Sequence, residues 1–354
     1  MKFYSQIFQE TISVESLFDA WNLFRKGKNK RLDVQEFFRK LEPKIFHLHR
    51  ALLSKQYKHL GYQSFYIHDP KLRHIRKASV RDRIVHQVVT SQLNRIFEPQ
   101  FINDLYSSRL GKGTHKGVEA LRGMFRQVSR NGTQPCWALK CDIKKFYDSV
   151  DHQILLKLIK KKIRDRDFLW LCEEIVNSFH HEATPGKGLP IGNLTSQIFT
   201  NIYLNVFDQF IKHDLQRKEY VRYADDFVIL ATNKEELEGL IPILRTFLAE
   251  KLELDLHPRK VTIRPLKQGV DFLGYVLLKY HTALRTKTKR RMLRKMRLRH
   301  DELYIGKISS GEFNQSLQSY LGILQHADAY KLSEEVKNHF MWHEQVGDII
   351  DPIF

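Results

Sequence analysis

The sequence predicts an α+β protein built on an antiparallel sheet with helices on one face, and three observations predict it. The segment VRYADDFVIL at 221–230 has two runs rich in β-branched and aromatic residues around a short polar turn, the pattern of a β-hairpin. The segment CWALKCDIKKF at 136–146 contains a strand-like run over 137–142 that ends on Asp142. Around these two lie helical patterns over 150–180, a Gly- and Pro-containing connection over 184–193, a helix over 194–216, the hairpin over 219–231, a helix over 234–251 and a strand over 260–264. Stripped of insertions the order is βαββαβ, which leaves one face of the sheet open.

Upstream, the first forty residues read as helical and a second amphipathic helix is expected over 43–60. A basic hairpin follows over 62–77, turning at Asp69-Pro70, and then helices over 80–97 and 118–130. Downstream, QGVDFLGYVLLKY at 268–280 adds a strand pair.

Among the 354 residues, 59 Lys and Arg face 40 Asp and Glu, a formal net charge of +19. Such a surface favours a polyanion, through neutralised phosphates and released counterions. Residues 285–300 hold nine Lys or Arg and no acid, with Met292, Leu293 and Met296 on one helical face. A basic helix with an apolar seam suits either a nucleic acid or an anionic membrane. No signal peptide, lipidation motif or apolar run of about 18 residues supports the membrane reading. The three cysteines, Cys136, Cys141 and Cys172, form no CxxC pair and read as reduced core thiols of a cytoplasmic protein.

The candidate chemistry lies in carboxylates. Asp142 closes a strand, and Asp225 and Asp226 sit at a hairpin tip. If the two strands are neighbours, the three acids converge and suit two Mg²⁺ ions, one activating a hydroxyl and the other stabilising the leaving oxygens of a phosphoryl displacement. The alternative is an acidic turn on a solvated surface and a strand-end cap. His180, His181 and Glu182 lack H-E-x-x-H spacing and are expected to face solvent.

Taken in order, ALKCDIKKFYDSV, GLPIGNLTSQIFTNIYLNVFDQFI, RYADDFVIL, LHPRKVTI and GVDFLGY resemble the successive palm motifs of reverse transcriptases. RHIRKASVRDRIVHQVV resembles the fingers motif, SSRLGKGTHKGVEAL the segment after it in bacterial members, and SYLGILQHADAYKL the thumb of the same group. The resemblance implies a right-hand polymerase with an N-terminal helical extension (1–60), fingers (61–136, with part of 150–193), palm (137–280) and a basic helical thumb (281–354). It implies an RNA-directed DNA polymerase with Asp142, Asp225, Asp226 and the Ile143 carbonyl as metal ligands, for Mg²⁺ with Mn²⁺ able to substitute.

By the same resemblance Tyr147 excludes a 2′-hydroxyl, Arg73 with Lys71 grips the triphosphate, and Lys260 protonates pyrophosphate. Phe272, Leu273 and Gly274 match the primer grip, a bulged strand being the other reading. Lys289, Arg290, Arg291, Arg294, Lys295 and Arg297 are expected on template RNA and cDNA. Most of the family carries a glutamine where this chain has Ile191 before Gly192, and a proline where it has Gln197. That form resembles the enzymes of diversity-generating retroelements, which implies error-prone copying of a template-repeat RNA, with dNTPs as substrates, beside a small basic accessory protein. Retron, group II-like and defence-associated enzymes, and a non-catalytic RNA-binding scaffold, are the competing readings. No Val-Thr-Gly stands in the thumb region for a retron enzyme, and only some twenty residues follow the thumb-like segment, so neither a maturase extension nor an RNase H domain is expected after it.

Overall fold

The computed structural model describes residues 2–69 and 71–341. Helices α1 (Phe8–Ile12), α2 (Val14–Arg25), α3 (Leu32–Phe38) and α4 (Leu41–Leu53) lead to strands β1 (Gln63–Ile67) and β2 (Arg73–Lys77). Helices α5 (Val80–Phe97) and α6 (Thr114–Val128) precede β3 (Trp137–Asp142), the short α7 (Phe146–Ser149), α8 (His152–Lys160), α9 (Arg166–Val176) and α10 (Leu194–Gln209). Then come β4 (Tyr220–Tyr223), β5 (Asp226–Ala231), α11 (Lys234–Leu252), β6 (Thr262–Pro265), β7 (Val270–Phe272), β8 (Tyr275–Leu277) and β9 (Thr282–Leu284). Helices α12 (Thr286–Tyr304), α13 (Ser310–Leu324) and α14 (Tyr330–Met341) complete the chain as described. None of these helices is long and apolar enough to cross a membrane.

The expected βαββαβ order closes as a four-stranded sheet, β4-β5-β3-β6, in which β3 and β5 are neighbours. The chain divides into two compact units, one of Met1–Gly113, Lys140–Val228 and Gly239–Val261, the other of Thr114–Leu139, Ile229–Glu238 and Thr262–Phe354.

In the first unit α5 is buried on nearly every side and starts where Ser79 Oγ accepts from the Asp82 amide at 3.2 Å. Helix α10 packs on the sheet through Phe207 and Phe227, whose ring centroids are 5.3 Å apart, and Phe210, just past its end, stacks on Phe247 of α11. The basic hairpin forms as expected, with Gln63 opposite Lys77 and Ile67 opposite Arg73. Pro70, in its turn, lies outside the described residues.

Two helices are shorter than expected. Helix α4 stops at Leu53, not near residue 60. Lys55 is left-handed (φ +58), the Gln56 and Tyr57 amides both donate to the Ala51 carbonyl at 2.9 Å, and the Tyr57 ring is buried with its hydroxyl donating to Asp82 at 2.9 Å. Burial of that ring with its hydroxyl paired draws the chain off the helix. Helix α10 gives way after Gln209 to a π-helical turn over Phe210–Asp214.

In the second unit the expected strand pair is a three-stranded antiparallel sheet, β7-β8-β9. Leu273 and Gly274, at φ +50 and +92, form the two-residue turn between Phe272 and Tyr275. A tight turn, not a bulge, therefore explains the glycine. Met292 and Met296 of α12 pack with Phe313, Leu317, Leu321 and Phe340 into a helical core, and Leu293 lies against it. Helix α13 opens with a capping box between Ser309 and Glu312. The part of the expected thumb beyond residue 341 lies outside the described residues.

Candidate active site

Strand β3 alternates so that Cys141 is buried while Lys140 and Asp142 share the other face. Burial pushes the Cys141 thiol up to about 12, an inert core group as expected, and all three cysteines are free and buried. Beyond the strand, the Ile143 amide donates to the Asp225 carbonyl at 3.2 Å, fastening the end of β3 to the β4–β5 turn. On the other side the His257 amide donates to the Asp142 carbonyl at 2.7 Å and the Lys144 amide to the Asp255 carbonyl at 2.8 Å. Residues 142–144 are thus held between the turn and the segment at 255–257, and Asp142 lies next to Asp225 as expected.

Burial, more than charge, sets the state of these side chains. Burial raises the Asp225 carboxyl above its ordinary range, with the charge of Asp142 adding to it and Lys260 and Arg73 opposing. Asp226 is raised to about 6, chiefly by burial, against Lys140 and with the charges of Asp142 and Asp225. Two lysines answer these acids: Lys260 Nζ lies 2.8 Å from Asp142 Oδ1, and Lys140 Nζ lies 3.3 Å from Asp226 Oδ2. Asp226 Oδ1 is buried with no hydrogen-bond partner.

Among the described residues no three His, Cys, Asp or Glu side chains stand close enough together to hold a metal ion. Asp142 and Asp226 are turned to their lysines instead. The donor set still fits a hard divalent cation in its chemistry: oxygen ligands only, carboxyls raised by burial and further by one another's charge, and a buried oxygen without a partner.

The residues expected on the nucleotide side gather in the same unit. The charge of Arg73, on β2, reaches both Asp225 and Tyr147. Tyr147 is half-buried beside Thr200 of α10. A cavity of about 340 Å³ is lined by Arg73, Asp148, Phe179, Leu189 and Ile191, among others. His180, His181 and Glu182 also line it, so they face this cavity and not only open solvent.

The segment after it is latched to β2. The Arg76 amide donates to the Ile191 carbonyl at 2.9 Å, Asn193 Nδ2 donates to the Arg76 carbonyl at 2.7 Å, and Asn193 Oδ1 accepts from the Ala78 amide at 3.3 Å. Gly192 has φ +111, and a Cβ there would stand 2.7 Å from Ile75 Cγ2. Gln197 is exposed on the first turn of α10, and Lys71 is exposed in the hairpin turn.

The other predicted residues belong to the second unit. Phe272 is buried and Leu273 and Gly274 make their turn. On α12, Lys289, Arg290, Arg294, Lys295 and Arg297 are exposed and Arg291 is half-buried.

Sequence reasoning missed two groups. Lys140 was legible, because two residues before Asp142 in a strand means the same face. Arg222 and Asp208, a fully buried ion pair at 2.5 Å, were not, since the arginine reads as one more surface cation.

Comparison with known proteins gives the chain a family and a fold. Residues 67–277, more than half of the chain, match the family described as reverse transcriptase (RNA-dependent DNA polymerase). Protein YkfC of Escherichia coli K12 is 27% identical over 270 residues, 66% of this chain and 70% of YkfC. The group II intron-encoded protein LtrA of Lactococcus lactis subsp. cremoris is 24% identical over 271 residues, 58% of this chain and 44% of LtrA. The structure of apo telomerase from Candida tropicalis shares the fold at 14% identity, with a TM-score of 0.51 over 81% of this chain and 59% of that one. The chain belongs to the reverse transcriptase (RNA-dependent DNA polymerase) family.

Proposed function

We propose that this protein copies RNA into DNA at Asp142, Asp225 and Asp226. One observation carries the reading: the Ile143–Asp225 backbone bond sets two of the acids side by side, within reach of the charge of Arg73 and next to Tyr147. The three carboxylates would hold two Mg²⁺ ions, with the Ile143 carbonyl as a further ligand; when bound, these supply an activated primer hydroxyl and charge neutralisation at the phosphates. Arg73, assisted by Lys71, grips the triphosphate, since a guanidinium pairs two phosphate oxygens at once. Tyr147, beside Thr200, fills the space a 2′-hydroxyl would need. Lys260 is the cation placed to protonate departing pyrophosphate. In the second unit Phe272, Leu273 and Gly274 hold the primer, and the cations of α12 bind template and product backbone.

The test is dTTP incorporation on poly(rA)/oligo(dT) with Mg²⁺. Wild type should extend the primer and Asp225→Ala should not; inactivity of both proteins would favour an RNA-binding scaffold.

Within the family, the reading favoured here is a diversity-generating retroelement enzyme, acting in the cytoplasm on a template-repeat RNA beside a small basic accessory protein. It rests on Ile191 and Gln197, where most of the family carries glutamine and proline, and on Ile191 lining the cavity with Arg73. An alkyl side chain there forgoes an amide hydrogen bond near the nascent pair, so discrimination by alignment weakens. Ile191→Gln should lower misincorporation opposite template adenine more than opposite other bases. The similarity to LtrA favours a second reading, a group II-like retroelement polymerase. An error spectrum without adenine bias on the protein's own RNA would select it.

A further inference from the structure

We propose that Arg222 is a positioning residue for catalysis: it ties the turn bearing Asp225 and Asp226 to α10, and so fixes where those carboxylates stand. This inference rests on the polymerase reading of the same turn.

Arg222 sits on β4 with its side chain fully buried. A guanidinium is kept in such a place only when its donors are taken up. Nε donates to Asp208 Oδ1 at 2.6 Å and Nη2 to Asp208 Oδ2 at 2.5 Å, a two-pronged pair with a carboxylate near the end of α10. The Tyr220 hydroxyl donates to the same Asp208 Oδ1 at 2.7 Å. The third arm turns the other way: Nη1 donates to the Ala224 carbonyl at 3.0 Å.

Ala224 is the residue on which the turn depends. Its φ of +53 is a conformation that an L residue adopts only when its surroundings hold it there. The carbonyl that Arg222 grips belongs to the peptide plane leading into Asp225. The next carbonyl, of Asp225 itself, accepts from the Ile143 amide. Two consecutive peptide planes of the turn are therefore fixed, one from α10 through Arg222 and one from β3. The arginine's own backbone is tied as well, its amide donating to the Asp104 carbonyl at 3.0 Å and its carbonyl accepting from Tyr106 at 2.9 Å. A backbone held in this way leaves the carboxylates only their own side-chain rotations to make when a metal binds.

Three proteins test the assignment by steady-state kinetics on poly(rA)/oligo(dT) and by thermal unfolding. In the triple variant Asp208→Leu, Tyr220→Phe and Arg222→Met, every polar side chain of the set is replaced by an apolar one of like size, an exchange that buried ion pairs commonly tolerate. It should unfold cooperatively near the wild-type Tm, with kcat at least tenfold lower, KM for dTTP and primer–template Kd within threefold of wild type, and a higher Mg²⁺ midpoint. Arg222→Lys keeps the charge beside Asp208 and loses the planar fork; its kcat should fall at least threefold with KM unchanged, whether or not the triple variant folds. Tyr220→Phe removes one hydrogen bond to Asp208 without touching the turn, and should lower Tm with kcat unchanged. Wild-type kcat in Arg222→Lys, or an equal loss of kcat in Tyr220→Phe, overturns the assignment. Absence of activity in the wild type would instead sink the polymerase reading.

Discussion

Gly192→Ala is the substitution whose consequence the structure sets most tightly. Alanine at φ +111 is strained by about 1–3 kcal/mol, and a Cβ 2.7 Å from Ile75 Cγ2 overpacks the site by a further ~1–3 kcal/mol. The latch to β2 that opposes this strain is three hydrogen bonds, each contributing about 0.5–1.5 kcal/mol net, so roughly 2–4 kcal/mol together. The two sums are comparable, and the cheaper response is for the segment at 191–193 to let go of β2 while the rest of the unit stays folded. The loss of Tm is then capped by the latch, at about 4–16 °C. Release of β2 also frees Arg73, so KM for dNTP should rise tenfold or more while kcat changes less. Adding Ile75→Ala removes Cγ2 and should recover part of the lost KM, but not all, because the backbone strain persists. Wild-type KM in Gly192→Ala, or no recovery in the double variant, would refute the latch.

Asp226→Asn should abolish polymerisation and yet stabilise the protein. The folded state keeps the Asp226 proton up to about pH 6, against an ordinary 3.8, so stability falls as pH rises between those values and stays lower above them. The difference corresponds to about 3 kcal/mol, and loss of the Lys140 partner leaves a net gain of about 1–3 kcal/mol for the variant. In chelator-containing buffer its Tm advantage over wild type should be larger at pH 7.5 than at pH 4.5; an advantage that does not grow with pH removes the electrostatic account. Tyr147→Val should admit ribonucleotides, lowering the dNTP-over-rNTP preference in kcat/KM at least tenfold, and an unchanged ratio would return the ring to a packing role. Lys289→Ala with Arg294→Ala should weaken primer–template binding and flatten log Kd against log salt by about 1.4–1.8, and an unchanged slope would take α12 off the nucleic acid.

The elements that could be read from sequence were those whose own side chains set their limits. Strand β3 and helix α5 fall on their expected residues, because alternation in one and the Ser79 cap with dense apolar spacing in the other are local signals. Where the reading failed, a distant partner decided. Nothing near Tyr57 announces Asp82, which its hydroxyl reaches as the chain leaves α4. At the site the acids were legible as types and as neighbours, but the direction of their side chains was not, since Lys140 and Lys260 draw Asp226 and Asp142 toward themselves.

Helix α12 shows how packing resolves what composition leaves open. Its eight lysines and arginines, with Arg285 just ahead of them, and an apolar seam suit a membrane surface or a polyanion equally well, and the choice depends on whether the seam is free. Met292 and Met296 are buried in the core with α13 and α14, and Leu293 packs against it. A helix lying in a bilayer interface would have to present those same side chains to lipid, tearing a core in which a buried methionine truncated to alanine already costs about 2–5 kcal/mol. The face left to solvent carries Lys289, Arg290, Arg294, Lys295 and Arg297. That face is dense in charge, with Leu298 exposed among its cations, a balance that suits a phosphate backbone.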